Sequence, residues 1–186
     1  MEATATQTHR FTRVQYEQMI KAGIFGEDDR VELIEGDIRP MSPQNSTHMA
    51  AVTLANYALM AVCPDDVHIR TQGPIALGEA SEPEPDLAIV RGTPRDFSDR
   101  HPGPNEIALL IEVADTSLET DRETKRRLYA RHGIPEYWIV NLRDEQVEVF
   151  QTPQSDDYAT KDTYTEGTLT PSLAPDQRVP VADLLP

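Results

Sequence analysis

The sequence predicts a mixed α/β (α+β) fold in which helices flank a central mixed sheet. The order of the predicted elements is the first reason, because short antiparallel strands are followed by a strand, a helix and another strand. The second reason is size: a chain of 186 residues, 38% of them hydrophobic, suffices for one core of ordinary dimensions. We therefore expect a single domain over residues 11–186, preceded by a flexible tail at residues 1–10.

The N-terminal third is predicted to hold two helices separated by a short hairpin. Thr12 can cap the first helix with Gln15 three positions later, and Gly23 is placed to end it. Residues 35–37, Glu-Gly-Asp, predict a tight turn between two short strands. The prolines and polar residues that follow break the chain before the second helix, which is expected at about 47–62.

The rest of the chain predicts strands around one further helix. Thr120 and Glu123 form a potential capping box, so this helix is expected from about 121 to 132, ending at Gly133. A hairpin is expected near 163–170. The predicted strands are 84–92, 106–115, the most apolar of them, 135–142, and 145–152, which pairs back through an Arg143-Asp144 turn.

Composition limits the classes of protein to be considered. A single cysteine, Cys63, excludes an internal disulfide framework and a cysteine-rich zinc site. No apolar run approaches the roughly 20 residues that cross a bilayer, and the N-terminus lacks a signal-peptide core, so a cytoplasmic protein without a membrane partner is expected. Seventeen Lys and Arg against thirty-two Asp and Glu give a net charge of −15, which disfavours generic nucleic-acid binding.

Two carboxylates, Asp86 and Glu112, are candidates for chemistry. Each lies beside strongly apolar sequence in a predicted strand, and neighbouring strands would bring both to one end of the sheet. Two like charges held close need a divalent cation, a proton or a lysine between them, and oxygen ligands favour Mg²⁺ or Mn²⁺. The alternative interpretation is an Asp exposed at a strand entrance and a Glu at a frayed strand end.

Lys125 is a candidate partner for Glu112. The predicted helix carries one face at the spacing i, i+3, i+4 and i+7, made of Lys125, Leu128, Tyr129 and His132. An inward-facing apolar stripe would carry Lys125 inward with it. The alternative is a surface pair between Asp121 and Lys125, and helical spacing alone leaves both interpretations open.

His48 and Glu32 are weaker candidates on pattern alone. His48 lies at the N-terminal end of the stripe made with Val52, Ala55 and Leu59, where a lone histidine is more often structural than catalytic. Glu32 alternates with apolar neighbours, which predicts a solvent-facing side chain. Phosphate-binding loops, a serine-hydrolase elbow and the H-E-x-x-H zinc motif are all absent from the sequence.

Four segments resemble, in order and spacing, the bacterial putative restriction endonuclease family, a branch of the PD-(D/E)xK nuclease superfamily. They are RVELIEGDIRPMSP…H, EPDLAIV, LLIEVADTSLETDRETKRRLYARHGIPEYWIV and VADLLP. The resemblance covers roughly residues 10–186, and the long central block is its specific part. It implies a restriction-endonuclease-like central sheet flanked by helices.

The resemblance also implies roles for individual residues. Asp86, Glu112 and the backbone carbonyl of Val113 would bind Mg²⁺ or Mn²⁺. The superfamily expects a lysine two residues after the glutamate, where this chain has Ala114, which suggests that Lys125 on the next helix takes that role.

His48 and Glu32 match positions that the family places near the site. His48 would contact the phosphate or help proton transfer, and Glu32 would bind a second metal or orient His48.

The activity implied is metal-dependent hydrolysis of phosphodiester bonds in DNA, and by analogy with many restriction-like enzymes a homodimer is expected. The predicted third helix carries a basic run made of Arg122, Lys125, Arg126, Arg127 and Arg131. This run could form a local phosphate-facing patch that offsets the acidity of the chain, or it could be a solvated helix face. The alternative function is a nuclease-fold protein of little or no activity that acts as a binding or regulatory module.

Overall fold

The computed structural model describes residues 9–26 and 28–186, and it confirms a mixed α+β fold. Its centre is a six-stranded sheet of order β3-β4-β5-β6-β7-β8. Only the β5–β6 pair is parallel; all other neighbours in this sheet are antiparallel. The strands are β3 Val67–Thr71, β4 Leu87–Arg91, β5 Ile107–Ala114, β6 Glu136–Asn141, β7 Gln146–Gln154 and β8 Asp157–Tyr164.

Two small antiparallel pairs accompany this sheet. Strands β1 (Val31–Ile34) and β2 (Asp37–Pro40) form the predicted N-terminal hairpin. Strand β9 (Thr168–Leu169) pairs with β10 (Val179–Pro180). The predicted hairpin at 163–170 was therefore wrong: residues up to Tyr164 extend β8 along β7, and β9 finds its partner near the C-terminus. Side-chain alternation identifies a strand, but it does not identify which strand lies beside it.

Helix α1 (Arg13–Lys21) begins at the predicted capping box, in which the side chains and backbones of Thr12 and Gln15 bond reciprocally. Helix α2 (Ser46–Met60) begins one residue before the prediction and ends two residues before it. Its N-cap is Asn45, whose side chain accepts a hydrogen bond from the His48 N–H at 2.8 Å.

Helix α3, over 118–131, differs from its prediction. It has an α-helical turn Leu118–Thr120, a π-helical segment Asp121–Lys125 and an α-helical part Arg126–Arg131. The expected cap, Thr120, already has helical angles, φ −62° and ψ −42°, whereas an N-cap residue is usually extended. The predicted capping box was therefore wrong, and the helix begins three residues earlier than expected.

The central sheet is covered on both faces, which is why all eight residues of β5 are buried. Leu128 and Tyr129 of α3 belong to the core on one face, and Val52 and Ala55 of α2 belong to the core on the other. Glu112 shares its face of β5 with Leu110 and Ala114, which belong to the core on the α3 side. It therefore lies beneath α3, among apolar side chains.

The remaining expectations concern the ends of the chain and membranes. Residues 1–8 of the predicted flexible tail lie outside the described residues. Arg10, at the end of that segment, is bonded to Asp37 at 2.6 Å, so this position is held against the β1–β2 hairpin. Within 9–26 and 28–186, no helix combines the length and the apolar character that a bilayer crossing requires.

Candidate active site

Asp86 and Glu112 lie side by side on adjacent antiparallel strands. The last registered pair of β4 and β5 joins Leu87 to Ile111, so the next positions outward on the two strands are Asp86 and Glu112. Opposite residues of an antiparallel pair project from the same face of a sheet. The convergence expected from neighbouring strands is therefore present, on the face that α3 covers.

The Asp86 carboxylate is held by three donors. Its Oδ2 accepts the Val113 N–H at 2.9 Å and lies 3.2 Å from His48 Nε2, and its Oδ1 accepts the Gln72 amide at 3.3 Å. Burial raises the pKa of Asp86, but the hydrogen bonds from His48, Val113 and Gln72 outweigh burial and lower this pKa below its usual value. Asp86 is therefore ionised in the neutral pH range.

The first turn of α2 brings His48 to this carboxylate. Asn45 caps the helix and also donates to Asp115 Oδ2 at 3.0 Å, so the start of α2 is tied to the chain that leaves β5. The hydrogen bond with Asp86 raises the pKa of His48, against the opposing effect of its partial burial. A protonated His48 is thus favoured next to Asp86.

Glu112 is balanced by a lysine and a tyrosine from α3. Its Oε1 accepts hydrogen bonds from Lys125 Nζ at 3.0 Å and from the Tyr129 hydroxyl at 2.7 Å. Lys125 is only 6% exposed, so the inward orientation is present and the surface-pair alternative is not. Burial would lower the pKa of Lys125, but Glu112, Glu32 and Asp121 raise it, which keeps the ammonium charged.

Glu32 is a second carboxylate on the same ammonium. Its Oε2 lies 3.3 Å from Lys125 Nζ and accepts the Glu84 N–H at 3.2 Å. The predicted solvent-facing orientation was wrong, because Glu32 is 6% exposed. The reason lies in the tertiary structure. The backbones of Leu33 and Glu82 exchange hydrogen bonds, so the segment that precedes β4 lies beside β1 and covers this side of it.

The π-helical segment adds Asp121, which the sequence suggested only as a surface partner of Lys125. Asp121 is 1% exposed, and its Oδ2 accepts the Ser117 hydroxyl at 2.6 Å. Burial raises the pKa of Asp121 to about 6, despite the opposing charge of Lys125. π-helical turns are frequent at functional sites, and this one turns both Asp121 and Lys125 inward.

These residues surround a cavity of about 90 Å³. All six predicted site residues line it, namely Glu32, His48, Asp86, Glu112, Val113 and Lys125. Residues that were not predicted as site residues line it too, among them Arg30, Glu84, Ser117 and Asp121. Five carboxylates thus face one lysine, one arginine and His48, so negative charge stays in excess by two even with His48 protonated. Burial raises the pKa of Glu112 well above its usual value and outweighs the opposing charge of Lys125.

The chemical nature of the oxygen donors around the cavity suits a divalent cation. It offers carboxylate oxygens without thiolates, together with negative charge that the protein's own cations do not neutralise. In the described part of the chain, however, no three Asp, Glu, His or Cys side chains already form a cluster able to hold a metal. The Lys125 ammonium takes that place between Glu112 and Glu32.

The basic run of α3 does not form a free phosphate-facing patch. Each of its arginines is bonded to a carboxylate of the same chain: Arg122 to Glu148, Arg126 to Asp157, Arg127 to Glu123 and Arg131 to Glu35. Of the two interpretations that the sequence left open, these salt bridges disfavour the patch, because the guanidinium groups connect α3 to the sheet, to the β1–β2 hairpin and to its own preceding turn.

Three contributors escaped the sequence-based search for different reasons. Tyr129 was recognised as facing inward, but only as a core residue. Gln72 follows β3 with φ +51°, an unusual value for a non-glycine residue, and the sequence gives no signal of its contact with Asp86. Asp121 could have been found from its position four residues before Lys125, had a π-helical segment been considered.

Comparisons with known proteins identify the family and the fold of this chain. Residues 13–182 match the model of the Uma2 family, described as "Putative restriction endonuclease". A crystal structure from Anabaena variabilis, described as a putative nuclease belonging to DUF820, has the same fold with a TM-score of 0.71. That similarity covers 90% of this chain and 95% of the other at 16% sequence identity. No curated protein matches at a significant level. Because the family match spans nearly the whole sequence, the chain belongs to the Uma2 family of putative restriction endonucleases.

Proposed function

We propose that this protein is a Mg²⁺-dependent endonuclease that hydrolyses phosphodiester bonds in DNA. The observation that supports it most directly is the pairing of Asp86 with Glu112 on adjacent strands, beside a cavity that Lys125 also lines. Family membership and the nuclease-like fold favour the same reaction class. The excess of carboxylates explains what the cation would do for the protein itself, because it would neutralise buried negative charge.

Asp86, Glu112 and the backbone carbonyl of Val113 are the groups proposed to hold the cation. A divalent cation bound there would withdraw charge from the phosphate and lower the pKa of the attacking water. The Lys125 ammonium would orient that water or stabilise negative charge that develops on the phosphate. The hydrogen bond from Tyr129 to Glu112 holds the carboxylate in place while this happens.

His48 and Glu32 have supporting roles in this proposal. His48, protonated beside Asp86, would donate to a phosphate oxygen or return a proton to the leaving group. Glu32 contacts Lys125, so it would keep the lysine charged and fix its position. Each site cleaves one strand, so cleavage of both strands of a duplex favours a homodimer, which light scattering would detect.

The proposal is tested first by metal binding. Calorimetry with Mn²⁺ should show heat of binding for the wild type and none for Asp86→Asn, which keeps the shape of the side chain and removes its charge. Asp162→Asn is the matched control, since Asp162 is exposed on β8 and distant along the chain from the site. Absence of binding to the wild type at millimolar Mn²⁺ would contradict a metal-dependent enzyme.

Activity is the second measurement. Wild-type protein with Mg²⁺ should nick supercoiled plasmid, whereas Asp86→Asn with Mg²⁺ and the wild type with a chelator should not. The alternative is a binding or regulatory module, and one observation favours it: Lys125 already neutralises part of the acidic cluster without any cation. A folded wild type that binds DNA, does not bind Mn²⁺ and does not cleave DNA would establish that alternative.

A further inference from the structure

A second cavity, of about 850 Å³, lies between α1 and the segment 97–103. Arg13 and Lys21 of α1 line one side, Arg100 and His101 line the other, and Arg70 of the edge strand β3 lies between them. The proposed function concerns the smaller cavity beneath α3. Four cationic side chains from separate parts of the chain, Arg13, Lys21, Arg70 and Arg100, line this groove together with three carboxylates, Glu17, Glu82 and Asp99, so positive charge is in slight excess here, unlike in the small cavity.

Arg70 has an environment unlike that of the other arginines. Among residues 9–26 and 28–186, it is the one arginine that is not exposed and has no carboxylate within 4.0 Å. Its single hydrogen bond is a long one, 3.5 Å from Nη2 to the Pro74 carbonyl, and its buried Nε has no partner. The other partly buried arginines of the described residues are paired with carboxylates, so Arg70 is the one that is available to an anion from solution.

The local backbone makes room for this guanidinium. A Cβ atom at Gly73 would lie 3.1 Å from Arg70 Nη2, tighter than ordinary contact, so the absence of a side chain there lets the guanidinium lie against the chain. The neighbouring cations of the groove are differently engaged. Arg13 contacts Glu17 and Glu82, whereas Arg100 is bonded to Glu106.

The strand register connects Arg70 with the candidate active site. In β3, Arg70 pairs with Ala88 and Thr71 with Leu87, so Gln72 continues the register beside Asp86. Arg70 thus lies two residues before Gln72, a separation of about 6.5 Å along extended chain. Gln72 bonds Asp86 at 3.3 Å, which places the Arg70 groove next to the candidate metal ligands along the sheet edge.

We propose that this groove binds a phosphate of the nucleic-acid backbone adjacent to the phosphate that is cleaved, and that Arg70 is its principal donor. The inference rests on the proposed function for the identity of the ligand. A guanidinium presents two parallel N–H groups to phosphate, and the neighbouring Lys21 adds charge without a fixed direction. In a chain with a net charge of −15, an unpaired cation at the edge of the active site also counteracts the general repulsion of DNA.

Binding of phosphate without metal tests the site separately from catalysis. Titration of the wild type with inorganic phosphate, followed by calorimetry, should show binding that Arg70→Gln weakens at least about tenfold. Arg178→Gln is the matched control, because it removes the same charge from an exposed arginine outside the groove. Thermal melts of the three proteins identify a variant that fails to fold. Arg70→Lys keeps the charge but loses the two parallel N–H groups of the guanidinium, so it should bind phosphate with intermediate affinity.

A second arm identifies the source of the phosphate. In EDTA, the affinity for a 20-base-pair duplex should fall at least about tenfold in Arg70→Gln, and the dependence of log affinity on log salt should become shallower by about one. Absence of phosphate binding to the wild type would overturn the site. Loss of phosphate binding with unchanged duplex affinity would overturn its assignment to the nucleic-acid backbone. A wild type that binds both but never cleaves contradicts the proposed function and leaves the groove assignment standing.

Discussion

The Lys125 ammonium lies 3.0 Å from the Glu112 carboxylate, although thirteen positions separate the two residues. In the nuclease superfamily that the chain resembles, the lysine is expected two residues after the glutamate, where this chain has Ala114. Helix α3 restores the contact from outside the strand. Neither charge is exposed, so each depends on the other for its burial.

Removal of Lys125 should therefore both destabilise the protein and stop cleavage. Lys125→Met leaves Glu112 and Glu32 without their cation, and we expect a loss of about 3–5 kcal/mol in the free energy of unfolding, measured in urea. Adding Glu112→Gln removes the uncompensated charge and should recover part of that stability without any recovery of nicking. A double variant no more stable than Lys125→Met would show that the two residues are not coupled.

Tyr129→Phe should test the second donor to Glu112. The change deletes a 2.7 Å hydrogen bond within a fully buried site and leaves the ring in place. We expect the free energy of unfolding to fall by about 1–3 kcal/mol, because an acceptor loses one of its partners in the interior. Tyr57→Phe on the exposed surface of α2 is the control and should change stability by less than about 0.5 kcal/mol. Equal effects of the two substitutions would contradict the contact.

Glu82 should make the stability depend on pH. Burial, and then the charge of Glu17, raises its pKa from 4.5 to about 7, although Arg13 lies 3.4 Å away and His101 3.8 Å away. A carboxyl whose pKa is raised on folding contributes stability below its unfolded pKa and loses that contribution as the pH rises through its folded pKa.

The free energy of unfolding of the wild type, relative to Glu82→Gln, should therefore decrease between pH 4.5 and about pH 7. We expect a decrease on the order of 2 kcal/mol, measured by urea unfolding of both proteins at several pH values. Above pH 7 the difference between the two proteins should be constant. A difference that does not change with pH would show that Glu82 is ionised throughout.

Glu148→Gln should alter catalysis through the position of α3. Glu148 is fully buried on β7, accepts a hydrogen bond from Arg122 Nε at 2.9 Å and pairs with Lys161 at 2.8 Å. Because Arg122 belongs to the π-helical segment that carries Lys125, a weaker hold on Arg122 should loosen the lysine. We expect about 2–4 kcal/mol lower stability and reduced nicking.

Metal affinity distinguishes this indirect role from a direct one. Glu148 is not among the residues that line the small cavity. Its substitution leaves the proposed metal ligands in place, so Mn²⁺ affinity should change by less than about threefold. Glu166→Gln, at an exposed glutamate, serves as the control for the loss of one negative charge. Loss of Mn²⁺ binding in Glu148→Gln would instead place this residue in the metal site.

Local sequence determined the parts of the fold that depend on short-range interactions. The capping box of Thr12 and Gln15 is present as predicted, because both partners lie within one helical turn. The apolar stripe of its own helix indicated an inward Lys125 but left the surface pair with Asp121 open, and the burial of Lys125 in the structure decided between them. The polar interruption of an apolar strand at Glu112 likewise indicated a compensated charge.

Tertiary structure decided the features that depend on distant segments. Glu32 is buried because the chain before β4 covers it, and the alternation of its own strand carries no information about that cover. Three of the four arginines of α3 are paired with carboxylates from distant segments, which a helical pattern cannot reveal. Arg70 remains without such a partner, and only the packing of α1 and the segment 97–103 around it makes that visible. Periodicity reports which way a side chain points, whereas the charge that meets it is set by chain segments far away in sequence.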